Sequence, residues 1–239
     1  MVTAPALPAG LAAVTVTDGV TTASSPLPVR VAALGPFRLG SRFLERQYLD
    51  TLGRAPTTAE RSTWMDRLAN GTAPSALSAG LVTTPSLTRY PAPVIRLLYA
   101  SGITFTSASV TDWAAKYQGG TSLTSIGDSY AKSRYGSLPT RNFVDQIFRN
   151  VYGRPATSSE LSSWSNKLKL VTRGQMLVEL SQSSANVTRT TNQVRVTELT
   201  IAMLRRAPTL AESKTTASTS TLATTFLTST AYANRYPSG

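Results

Sequence analysis

Residues 53–64 read GRAPTTAERSTW, and one hundred positions later residues 153–164 read GRPATSSELSSW. Each opens on Gly-Arg and carries a proline (Pro56, Pro155). A hydroxyl-rich run, a glutamate (Glu60, Glu160) and a tryptophan (Trp64, Trp164) follow. A third version, RRAPTLAES at 205–213, keeps Arg206, Pro208, Thr209 and Glu212, with Thr216 where the tryptophan is due. Such a stretch is either a binding loop used several times or a structural joint, and its chemistry favours the joint. Gly53 and Gly153 are the left-handed stop of a helix. Thr57-x-x-Glu60, Thr157-x-x-Glu160 and Thr209-x-x-Glu212 spell capping boxes: the threonine hydroxyl accepts from the N3 amide and the glutamate reaches back to the cap amide. Each glutamate is thereby explained without invoking an acid catalyst or a calcium ligand. Arg54, Arg154 and Arg206 stand at helix C-termini, where a cation offsets the macrodipole. Asp50, one turn before Arg54, is the expected i, i+4 partner, in line with Arg46–Asp50 and Arg141–Asp145–Arg149. The tryptophans, Trp113 included, begin apolar or aromatic i, i+4 pairs (Trp64–Leu68, Trp113–Tyr117, Trp164–Leu168) and are expected to be mostly buried.

Outward from the joint, the register persists. Phe43, Leu44, Gln47, Tyr48 and Leu52 match Phe143, Val144, Ile147, Phe148 and Tyr152, a spacing that places them on one helix face. Weaker copies occupy 94–117, which keeps Trp113 but not Gly-Arg-Pro, and 194–213. The period is about fifty residues, giving four units at roughly 43–91, 92–140, 141–190 and 191–238. Three helices are expected per unit. The third starts near Thr72 or Thr172, where Thr172-x-x-Gln175 is again a capping box. Units close on TRYP (88–91), SRYG (133–136) and NRYP (234–237). The fold class is therefore mainly α: an array or bundle over 41–239 in which neighbouring units cover each other's apolar faces. Residues 1–40 differ. AVTVT (13–17), a turn at Asp18-Gly19 and VTTAS (20–24) read as extended segments, and PLPVRVAAL (26–34) as a further edge-like strand with Pro26 and Pro28. This segment reads as an arm or the remnant of a β-domain, and Gly35-Pro36 and Gly40-Ser41 mark the passage into the helical region.

Composition removes whole classes of chemistry. Among 239 residues there is no histidine and no cysteine, so imidazole bases, thiol nucleophiles, zinc ribbons and disulfides are excluded. No P-loop, GxGxxG, GxSxG or calcium-loop motif occurs, and the twelve acidic residues are scattered. We expect no catalytic residues, no cofactor and no metal site; the protein reads as a non-enzyme. No apolar run reaches membrane-spanning length. The opening MVTAPALPAGLAAV lacks the charged and apolar regions of a secretory signal, so either the protein is not exported by that route or the chain is a mature piece or fragment carrying an added Met. The net charge of +12 suits an anionic polymer or an acidic protein surface. The cations are spread through every unit without the aromatic interleaving of a nucleic-acid groove, so sequence-specific nucleic-acid binding is not expected.

The words FLERQYLDTLGRAPTTAERSTWMDRL (43–68) and FVDQIFRNVYGRPATSSELSSWSNKL (143–168) resemble the bacterial domain-of-unknown-function family 4214. The matching positions are Phe43, Tyr48, Gly53, Arg54, Pro56 and Trp64, and Phe143, Phe148, Gly153, Arg154, Pro155 and Trp164. The likeness is good for units one and three, partial for four and thin for two, and Pro155 stands one place earlier than Pro56. The first helix is also similar to that of phycobilisome linker domains, helical proteins that scaffold assemblies. The resemblance implies a secreted or surface protein of bacteria, with helical repeats beside an Ig-like module, and no transferable catalytic or binding residue.

The functional expectation is an extracellular or cell-surface structural module that mediates assembly or adhesion, with itself, a partner protein or a cell-wall polymer. The alternatives are a virion component such as a decoration or tail protein, and a polysaccharide-binding or modifying protein using exposed aromatics such as Tyr90, Tyr135 and Tyr236.

Overall fold

A computed structural model of the chain describes residues 34–237 and, within the N-terminal segment, four short strands. β1 (Gly10–Ala12) pairs antiparallel with β4 (Val29–Val31), Leu11 facing Arg30, and β2 (Thr15–Thr17) pairs with β3 (Thr22–Ser24), Val16 facing Ala23. β2 and β3 fall inside the two segments expected to be extended. The Asp18-Gly19 turn, Pro26 and Pro28 lie outside the described residues.

The remainder is mainly α-helical. Helices α1 (Gly40–Leu52), α2 (Thr58–Ala69) and α3 (Pro74–Leu81) are followed by the short α4 (Pro85–Arg89). Then come α5 (Pro91–Ser101), α6 (Ser107–Gln118), α7 (Leu123–Tyr135), α8 (Thr140–Tyr152), α9 (Ser158–Lys167) and α10 (Arg173–Ser181). α11 (Ser184–Leu204) runs unbroken through residues 190 and 191 and precedes α12 (Leu210–Ser213), α13 (Thr219–Leu227) and α14 (Thr230–Ala233). The chain forms two compact units. Unit 1 gathers residues 1–81 with 202–204 and 217–239; unit 2 holds 82–201 and 205–216.

In unit 1 the apolar face of α1 buries Phe43, Leu44 and Tyr48, while α3 contributes Leu77 and Leu81. α3 packs on α1 and on α13, whose Phe226 and Leu227 are buried. Gln47, in the middle of the α1 face, is a buried amide. It accepts from Ser78 Oγ at 2.7 Å and donates to the Tyr232 hydroxyl, so the burial leaves neither end unsatisfied.

Unit 2 repeats the pattern with an isoleucine at that place. Phe143, Val144, Ile147 and Phe148 of α8 are buried together with Val94, Ile95 and Leu98 of α5. α7 crosses α10 at bare backbone. A Cβ on Gly127 would meet the Gly174 carbonyl oxygen at 2.9 Å, so only glycine lets the two helices approach this closely.

The helices that follow the joints lie at the margin. Neither α2 nor α9 buries a residue, and Trp64, Trp113 and Trp164 are half-buried rather than mostly buried. The correction has a physical cause. Each ring lays one side on its unit and has a cation three residues on over the ring: Arg67 at 4.9 Å from Trp64, Lys116 at 4.2 Å from Trp113 and Lys167 at 4.8 Å from Trp164.

Candidate functional site

The recurring joint is a closed polar arrangement, built three times. α1 stops at Gly53 with φ 68° and α8 at Gly153 with φ 70°. Just beyond, Arg54 turns back and grips Glu60 with two parallel bonds of 2.8 Å, while donating to the Ala55 carbonyl at 3.0 Å. The same Glu60 Oε2 accepts the Thr57 amide at 2.8 Å, and Thr57 Oγ1 accepts the Glu60 amide at 3.2 Å. At Arg154, Thr157 and Glu160 the bonds to Arg154 are 2.8 and 2.7 Å and the cap bonds 2.8 and 3.2 Å. At Arg206, Thr209 and Glu212 they are 2.7 Å to each guanidinium nitrogen, 2.7 Å and 3.2 Å. Pro56, Pro155 and Pro208 lie between the arginine and the cap threonine, in segments with no helical backbone.

One carboxylate therefore serves two roles, helix cap and guanidinium partner. The facing arginine, followed by the cap amide, holds Glu60 and Glu160 down to a pKa of about 2. Glu212 is likewise held to about 2, chiefly by Arg206. Arg54 also stacks 5.4 Å from the Tyr48 ring and Arg154 5.6 Å from Phe148, which ties these two joints to the preceding helix. Thus the arginines are engaged across the loop with a glutamate six residues on, rather than with the carbonyls of the helix they follow. Asp50 meets Arg46 at 3.2 Å and Arg235 at 3.2 Å. Asp145 pairs with Arg149 at 2.8 Å and accepts the Ala156 amide at 2.9 Å. In a fork so engaged the carboxylate stays ionised and three of the five guanidinium N–H groups are turned on the joint itself.

Two polar groupings escaped the sequence reading. In unit 1 the buried Asp50 carboxylate gathers Arg46, Arg235 and the Tyr236 hydroxyl, and Arg235 further donates to the carbonyls of Ala202 (2.9 Å) and Met203. In unit 2, Glu198 is buried on α11 with Oε1 unpartnered among the described residues. Burial pushes its carboxyl up to about 8, against the opposing pull of Arg96 and Arg195. The capping box at Thr106–Ser109 was also missed because it uses serine in place of glutamate. Thr172 caps α10 through the Gln175 amide at 3.1 Å, but the Gln175 side chain turns to Glu179 instead of completing the box.

An open depression in unit 1, of about 330 Å³, is edged by Gly35, Pro36, Leu227, Thr228, Ser229 and Thr230. Its hydroxyls of Thr228 and Ser229 donate to carbonyls of their own chain segment, so it is poor in directed polar groups. Among the described residues no cluster of three or more metal-ligating side chains occurs, and no helix is long and apolar enough to cross a membrane.

Residues 122–190, which span α7 to α10 and include the second joint, match the family described as Domain of unknown function (DUF4214). No curated protein and no solved structure matches the chain.

Proposed function

We propose that the protein is a non-enzymatic structural module mediating assembly or adhesion at a bacterial surface, built from four related helical units (43–91, 92–140, 141–190 and 191–238). The observation that carries the reading is the Arg–Thr–Glu joint, made three times with the same bonds. Where a binding loop would present free groups, the joint turns its charges on its own helices. The excess positive charge supports an anionic or acidic partner, and every lysine of the chain lies in unit 2. Light scattering at several protein concentrations, beside sedimentation with isolated cell wall at low and high salt, tests the proposal. Association that weakens as salt rises is expected. A monodisperse monomer that leaves cell wall in the supernatant at low salt overturns it.

A further inference from the structure

Unit 1 is completed by chain that arrives from the far end of the sequence: α1 and α3 belong to residues 40–81, and α13 and α14 to residues 219–233. The segment 217–237 sits on α1 and α3 as a ligand sits in a groove. Its anchors Ala223, Phe226, Leu227 and Tyr232 are all no more than 4% exposed. Around them lie directional contacts: the Gln47 amide on the Tyr232 hydroxyl, Ser220 Oγ at 3.3 Å from Ser75 Oγ, and Arg235 at 3.2 Å from Asp50. Aromatic anchors and a half-buried arginine are the composition that dominates binding between separate chains. The corresponding crossing in unit 2 differs in two ways. It joins α7 and α10, close neighbours along the chain, and it is locked by the backbone contact of Gly127 with Gly174. In unit 1 the crossing is closed by side chains, and the segment is reached through the small polar run Lys214-Thr-Thr-Ala-Ser218.

We infer that unit 1 is an exchangeable joint: residues 217–237 of one copy complete α1 and α3 of a second copy, and so link chains. The inference rests on the assembly reading and names the partner as this chain itself. Every contact made in exchange is one the structure already shows, with only the connectivity changed, and such swapping is a low-cost route to assembly. Closure within one chain has the advantage of a tethered partner, at an effective concentration on the order of millimolar. Exchange therefore grows with protein concentration and with any condition that lifts the segment away.

The chain has no cysteine, which makes the test clean. Full-length Ser75→Cys/Ser220→Cys, oxidised alone when dilute, closes into a linked monomer and proves that the two positions accept a disulfide. Full-length Ser75→Cys and Ser220→Cys are then mixed in equal amounts at high concentration, taken to the denaturation midpoint, returned to native buffer and oxidised. A dimer whose linked peptides join 75 to 220 is expected at least tenfold above the self-dimer of either variant. If the double variant closes but no 75–220 link forms between chains, exchange is overturned. Light scattering on the same samples then separates the cases: association without the link leaves the assembly reading standing on another surface, and a plain monomer removes both.

Discussion

Residue 50 in unit 1 and residue 150 in unit 2 hold the same place, one turn before the Gly-Arg joint, yet one is Asp and the other Asn. Asn150 donates to the Ala100 carbonyl at 3.1 Å and to the Tyr135 hydroxyl at 3.2 Å, and accepts from Gln146 at 3.0 Å. Tyr135, buried rather than exposed as expected because its ring packs on Phe143, in turn donates to the Ser101 carbonyl at 2.5 Å, and Tyr90 and Tyr236 are half-buried. Asp50 instead holds Arg46, Arg235 and Tyr236 by charge. Tyr135 and Tyr236 come from the matching words SRYG and NRYP, so one corner of the fold is closed by a neutral network and the other by an ionic one. The neutral corner joins residues 100–150 and the ionic one joins residue 50 to residues 235–236. At this corner, then, the link to the distant segment rests on charge, while the equivalent link between nearer segments rests on amides and hydroxyls.

The largest expected effect breaks that contrast directly. Asp50→Ala leaves Arg46 and Arg235 facing each other without their carboxylate and is expected to destabilise unit 1 by about 3–5 kcal/mol. Asn150→Ala removes neutral hydrogen bonds in unit 2, for about 1–2 kcal/mol. Denaturant titration followed by Trp64 alone, with Trp113 and Trp164 replaced by Phe, reads unit 1, and the converse variant reads unit 2. Equal losses would show that charge adds nothing at position 50.

The second effect is on pH. Glu198 takes up a proton on folding, so the stability it contributes is full below about 4.5, the unfolded value, and is lost as pH rises through about 8. The loss of unit 2 stability between pH 5 and pH 8 is expected to be on the order of 3 kcal/mol. Glu198→Gln should flatten that slope, and an unchanged slope would locate the titrating group elsewhere. The joint glutamates act in the opposite sense. Their pKa values are lowered to about 2, so their contribution is present above about 4.5 and fades as pH falls through 2. Together they place maximal stability on the acid side of neutrality, near the lower edge of the Glu198 window.

Smaller effects sharpen the comparison at the helix stops. A Cβ on Gly102 (φ 62°) would lie 2.6 Å from Asn150 Nδ2, whereas Gly53 (φ 68°) has open space around it. Gly102→Ala is expected to cost about 2–3 kcal/mol, from backbone strain together with displacement of the Asn150 network. Gly53→Ala should cost about 1 kcal/mol, from backbone strain alone. Thermal melts of both variants decide between them. The smallest, Thr57→Ala, removes one side of a capping box and is expected to cost about 1 kcal/mol in chemical denaturation.

Helical class was legible because the i, i+1, i+4, i+5 spacing at Phe43, Leu44, Gln47 and Tyr48, repeated one hundred residues later, admits one periodicity. The capping boxes were legible for the same local reason. The Arg–Glu grip was within reach but missed: arginine stands six residues before glutamate at 54/60, 154/160 and 206/212, a spacing that a continuous helix would not bring together but a turn does. The packing of α3 against α13 was not legible, because contacts between distant segments rest on shape, and Ser75 and Ser220 carry no mark of each other. Gln47 illustrates the limit. Its place on the apolar face could be read from period, but its partner Tyr232 belongs to the other end of the chain. Burial of the tryptophans was overread because periodicity assigns a face and not a depth, and Arg67, Lys116 and Lys167 determine how much of each ring meets water.

The shared carboxylate makes the residues of a joint depend on one another. Since Glu60 serves Arg54 and Thr57 at once, losing the glutamate strands two neighbours, and losing the arginine leaves a carboxylate whose main partner is gone. Residues 102–109, GITFTSAS, have neither the arginine nor the glutamate, and Thr106 and Ser109 make a bare cap between them, at 3.3 and 3.1 Å. A helix start in this chain thus stands with or without an ion pair beside it.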